Sequence, residues 1–82
     1  MNTQELRSAF LEALVAVAPD IDPDTVRDND HLQDDLEMDS MDILNLVAAL
    51  HKRFNVAIPE SDYAQIATLA KAVQYLQANR KL

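Results

Sequence analysis

Eighty-two residues with a formal charge of −7, no cysteine and no glycine leave room for one small core but not two. Disulfides, Cys-based zinc sites and glycine-rich phosphate loops are excluded, and a composition led by Ala and Leu favours helices over glycine-turned hairpins. The longest apolar stretches, at 9–18 and 46–50, fall well short of the ~20 residues of a membrane span, and the start Met1-Asn2-Thr3-Gln4-Glu5 lacks a signal-peptide pattern, so a soluble cytoplasmic protein with one domain over 1–82 is expected.

Asn2 followed by Glu5 has the form of a capping box and predicts a first helix. Leu6, Phe10, Ala13, Leu14 and Val17 recur at helical spacing on one face, with Glu5, Ser8 and Glu12 opposite. Pro19 ends the helix, because the residue before a proline is pushed out of helical geometry. Residues 19–38 then read as a long connection, a length that inside a small domain points to function. Ile21, Val26, Leu32 and Leu36 are spaced to pin it onto a core.

Asp39 is a good N-cap with Asp42 at the N3 position, so a second helix starts at Ser40. Ile43, Leu46, Val47, Leu50 and Phe54 form its inward stripe, while Asp42, Asn45, Ala49 and Lys52 are expected to point outward. His51, Lys52 and Arg53 crowd its last turn, where positive charge suits the helix dipole. After Val56, Ile58 and Pro59 come one or two helical turns at 60–66, carrying Tyr63 and Ile66. Thr68 caps a last helix that buries Leu69, Ala72, Val73 and Leu76, and the tail 79–82 is expected to fray. The sum is an all-α fold: a small bundle of three main helices plus one short helix, with a long loop between helices 1 and 2.

Charge is unevenly spread. Residues 20–42 hold ten carboxylates against Arg27 alone, whereas five basic residues follow Ile43 against Glu60 and Asp62. Such a field repels nucleic acid and attracts basic protein surfaces. Asp20-x-Asp22-x-Asp24 mimics the start of a calcium loop, but Thr25 stands at its sixth position and His31 at its twelfth, so no metal site is expected. His31 and His51 have no ligand spacing, and no Ser/His/Asp or Cys/His nucleophile set is readable.

What stands out is Asp34-Asp35-Leu36-Glu37-Met38-Asp39-Ser40-Met41-Asp42, a serine at the first position of a helix inside an acidic cluster. Free amide donors and the positive end of the dipole at that point suit a phosphate ester. Taken alone, Asp39-Ser40 reads as a plain helix cap, and a cofactor-free helical interaction module is then the alternative.

The stretch from Leu32 to Leu76 resembles the acyl carrier protein family. That family opens its second helix with a D-S-L-type serine motif behind an acidic D-L-G-x segment. Here D-D-L-E-M-D-S-M-D stands in that place, and L-V-A-A-L-H-K-R-F, I-P and I-A-T-L-A-K-A-V-Q-Y-L follow in the family's order. The resemblance implies a non-catalytic monomeric carrier. It implies 4'-phosphopantetheine bound covalently to Ser40 by a magnesium-dependent phosphopantetheinyl transferase, with Asp39 a participant. Acyl groups would then travel as thioesters to the acyl-loading and acyl-processing enzymes of a fatty-acid, polyketide or specialised lipid pathway. An aminoacyl or peptidyl cargo is the variant of this reading. The docking face around the arm would be Asp39, Met41, Asp42, Asn45, Ala48 and Lys52, with Met41 as the adaptable apolar contact. Two departures stand out. Glu37 occupies the usual glycine position, which implies a different backbone at that turn. Asn45, His51, Lys52 and Arg53 stand where the family carries glutamates, which implies partners from a dedicated pathway rather than housekeeping enzymes.

Overall fold

The computed structural model describes residues 2–79. The capping box at its start is formed: the Asn2 side chain accepts from the Glu5 amide at 2.8 Å, and Glu5 accepts from the Asn2 amide at 3.1 Å. From this cap α1 runs over Thr3–Val17, and Ala18 closes it immediately before Pro19. Leu6, Phe10 and Leu14 are wholly buried, and Glu5, Ser8 and Glu12 are exposed as their spacing predicts. Ala9 and Leu11 widen the buried stripe beyond the expected set.

Helix α2 (Ser40–Phe54) and helix α3 (Leu69–Asn79) both pack against α1. Leu46 and Leu50 of α2 and Leu69, Ala72 and Leu76 of α3 reach zero exposure, so the core lies where the three apolar stripes meet. Asn55, in the left-handed conformation that asparagine tolerates, terminates α2. Thr68 caps α3 by accepting from the Lys71 amide at 3.2 Å. Glu60–Ile66 is a 3-10 helix packed on α3. Seven residues is long for 3-10 geometry, and a tie from Tyr75, whose hydroxyl donates to Asp62 at 2.8 Å, holds it in place. Burial, the hydrogen bond to Asp62 and that residue's negative charge all push the Tyr75 phenol above its ordinary pKa. It therefore keeps its proton, and the tie survives through the neutral range. Among the described residues there is no strand, only an isolated bridge between His31 and Thr68.

Three expectations need correction. Ala49 does not simply face solvent: it is half-buried and packs on the core, at the edge of the inward stripe of α2. The long connection is not wholly irregular, since Asp22 caps a 3-10 turn at Pro23–Thr25. Asn79, expected at the start of the tail, is instead the last residue of α3, and its side-chain amide donates to the Tyr75 carbonyl at 2.9 Å, whereas 80–82 lie outside the described residues.

The connection is tied down along its middle. Arg7 of α1 pairs with Asp28 at 3.1 Å and donates to the Val26 carbonyl. The Leu32 amide donates to the Ala67 carbonyl at 2.9 Å, and the Ala70 amide donates to that of Asp28 at 3.0 Å. Val26 and Leu32 are buried, while Ile21 and Leu36 are half-buried against the core. These anchors hold the loop's apolar side chains inward and leave most of its carboxylates exposed.

Glu37 adopts φ 60°, the left-handed region. The backbone is thus of the kind that glycine suits, and the expected departure at this turn is confined to the side chain. Left-handed geometry costs a residue with a Cβ about 1–2 kcal/mol, part of which a glycine loses again to unfolded-chain entropy. Glu37→Gly is therefore expected to stabilise the fold by up to ~1 kcal/mol, raising Tm by several degrees in a calorimetric scan. Glu37→Ala should bring no such gain.

Candidate functional site

Ser40 owes its position to alternation just before α2. Leu36 and Met38 turn inward, Met38 to 3% exposure, while Asp39 and Ser40 stay in water. The Met38 amide is held by the Leu32 carbonyl at 3.1 Å. Asp39 then caps α2 reciprocally with Asp42: its carboxylate accepts from the Asp42 amide at 2.8 Å, and the Asp42 carboxylate accepts from the Asp39 amide at 3.3 Å. The first turn is closed by the Ile43 amide on the Asp39 carbonyl at 3.1 Å. Among the described residues the amides of Ser40 and Met41, and the Ser40 hydroxyl, have no hydrogen-bond partner.

An exposed hydroxyl beside two open amide donors at a helix N-terminus can carry a phosphodiester without rearrangement of the fold. Ser40 also stands on the rim of a groove of about 590 Å³. Leu32, Ile43 and Ile66 form its floor, and Leu44, Tyr63 and Ala64 belong to its walls. Three elements thus meet there: the long connection, α2 and the 3-10 helix. Asp34 and Glu60 lie on the same lining, so the mouth is acidic and the floor apolar.

The residues expected on a docking face are distributed unequally. Met41, Asn45, Ala48 and Lys52 are all exposed, and their spacing along α2 puts them on one ridge directly away from the core. Asp42 is half-buried and engaged in the cap, so it lies off that ridge. Leu44 was not among the expected residues, yet it is 48% exposed and, beside Met41 at 63%, makes an apolar patch next to Ser40. Its signal in the sequence was an apolar residue off the inward stripe, four positions after the serine. Arg53 does not reach the ridge, because its guanidinium pairs with Glu12 of α1 at 2.6 Å. Among the described residues no three acidic, His or Cys side chains gather in a way that would hold a metal, and no helix is long and apolar enough to cross a membrane.

Comparison with known proteins bears on the chain as a whole. Residues 9–76 match the family model described as the phosphopantetheine attachment site. The chain belongs to the acyl carrier protein family. It is 31% identical over 70 residues to the acyl carrier protein of Wolinella succinogenes, covering 85% of this chain and 92% of that one. To the acyl carrier protein of Zymomonas mobilis it is 38% identical over 60 residues, or 73% and 77% of the two chains. The solved acyl carrier protein of Enterococcus faecalis superposes with a TM-score of 0.74 at 28% identity, over 96% of this chain and 99% of that one. The carrier is accordingly non-catalytic, and its cofactor is covalent 4'-phosphopantetheine. When bound, this group supplies a terminal thiol on which an acyl group is carried as a thioester. Carriers of this family are served by transferases that attach the arm and by enzymes that process the acyl group.

Proposed function

We propose that Ser40 bears the phosphopantetheine arm and that the carrier delivers acyl thioesters, rather than aminoacyl groups, to the enzymes of a lipid or polyketide pathway. The observation that carries this reading is the placement of an exposed, unbonded Ser40 hydroxyl at the first position of α2. The apolar floor of Leu32, Ile43 and Ile66 supports an alkyl-bearing cargo over a polar aminoacyl one. Tethering raises the local concentration of the cargo at whichever enzyme docks, which is the physical benefit of a carrier without chemistry of its own.

The test is direct. Incubation with coenzyme A, magnesium and a broad-specificity phosphopantetheinyl transferase is expected to add one arm, located on Ser40 by peptide mass spectrometry. Ser40→Ala should fold normally and take none. An arm on another residue, or none on the wild type, would remove this assignment.

Asp39 is assigned two separable roles, capping α2 and presenting a negative charge to the transferase. Asparagine keeps the capping oxygen and removes the charge, whereas alanine removes both. Asp39→Asn is therefore expected to melt near the wild-type temperature but to accept the arm severalfold more slowly. Asp39→Ala should in addition lose about 0.5–2 kcal/mol of stability. Equal arm-loading rates in the wild type and the asparagine variant would reduce Asp39 to a cap.

A further inference from the structure

The exposed face of α2 is sorted by charge along its length. Asp35, Glu37 and Asp39 are exposed around the Ser40 end. After Asp42 the helix has no further carboxylate, and its last turn is His51-Lys52-Arg53. These three side chains are not equivalent. Arg53 is engaged by Glu12, which draws it toward α1. Lys52 forms no ion pair among the described residues and stands on the outward ridge with Met41, Asn45 and Ala48. His51 is exposed beside it.

Lys52 lies twelve residues beyond Ser40, about 18 Å along the helix axis. That separation exceeds two screening lengths of ~8 Å at physiological ionic strength. A surface laid along α2 therefore meets two local fields, negative at the serine and positive at the far end, rather than one average. Between them stand Met41 and Leu44, the exposed large hydrophobics of the described residues.

We propose that α2 docks on a partner enzyme whose binding face is two-signed: basic where it meets the Ser40 end, apolar against Met41 and Leu44, and acidic where it meets Lys52. This deepens, and rests on, the reading of Ser40 as the arm-bearing residue. A partner that is basic along its whole face is attracted by the carrier's net charge but meets Lys52 with like charge once docked, which lowers productive binding and thereby selects against it.

The probes are a condensing enzyme of fatty-acid synthesis with a uniformly basic docking face, and its variant in which the basic residue opposite the last turn of α2 is replaced by glutamate. The carrier is used as wild type and as Lys52→Glu, each shown by intact mass to hold the arm and its acyl group, and by thermal melting to be folded. The acyl-loaded wild type is expected to react with the glutamate-bearing enzyme at a kcat/KM roughly three- to tenfold above that with the unmodified enzyme. Lys52→Glu should reverse this preference. Equal kcat/KM in all four combinations, with the arm fully in place, overturns the two-signed face and leaves the carrier reading standing. Failure of Ser40 to accept the arm overturns both.

Discussion

Replacing Phe10 by alanine is expected to remove about 3–5 kcal/mol of folding stability. A chain of this length has roughly 4–12 kcal/mol in total, so the variant should stand at the edge of unfolding at 25 °C. Phe10 has zero exposure and lies on the face of α1 against which both α2 and α3 pack. No other element joins those two helices to the same extent, so a cavity there loosens both contacts together. Urea titration followed by circular dichroism should show a much lower midpoint with an unchanged slope. Ser8→Ala, on the exposed face of α1, should move the midpoint by less than ~0.5 kcal/mol equivalent. A small Phe10 effect, comparable with that of Ser8, would mean that α1 is not the centre of the bundle.

Most of what positions the serine was legible in the sequence because it is local. Both capping boxes are three-residue relationships, Asn2 with Glu5 and Asp39 with Asp42, and each formed as read. The inward stripes of α1 and α2 follow from helical period alone, and the loop anchors Val26 and Leu32 follow from isolated apolar residues in an acidic run. What escaped reading is tertiary. Glu12 and Arg53 are 41 positions apart, and nothing local announces that they pair. Tyr75 lies outside the expected buried set of α3 yet is buried, because Asp62, thirteen positions earlier, receives its polar tip. Ala49 packs inward and Leu44 remains exposed because coverage depends on which neighbours lie across each flank of α2, a matter of packing that period cannot decide. The carrier identity was legible through a long motif register rather than through the serine alone, since Asp-Ser at a helix start is by itself only a cap.

Leu32→Ala is expected to cost about 2–5 kcal/mol, and its importance lies in where that loss falls. Leu32 is 1% exposed, yet it belongs to the long connection rather than to a helix. Its amide is bonded to Ala67 and its carbonyl to the Met38 amide, so one residue joins the connection to the segment before α3 and to the segment that presents Ser40. Its side chain is also part of the groove floor. Truncation removes three carbons from beneath the groove and leaves both backbone bonds without the packing that shields them from water. Local opening of the connection should therefore become easier than global unfolding. Hydrogen exchange at the amides of Leu32, Leu36 and Met38, donors at or beside this anchor in the bonding pattern, is expected to accelerate more than exchange at Leu14 in the centre of α1. The cap of α2 does not involve Leu32, so folded molecules should still accept the arm on Ser40. Leu44→Ala gives the comparison: the side chain removed is the same, but it is half exposed on the groove wall, and the stability lost should be well under half as much. Equal losses at the two positions, or uniform acceleration of exchange across the chain, would show that the connection is held by α1 and α3 without Leu32, and that the groove floor has no part in keeping the serine in place.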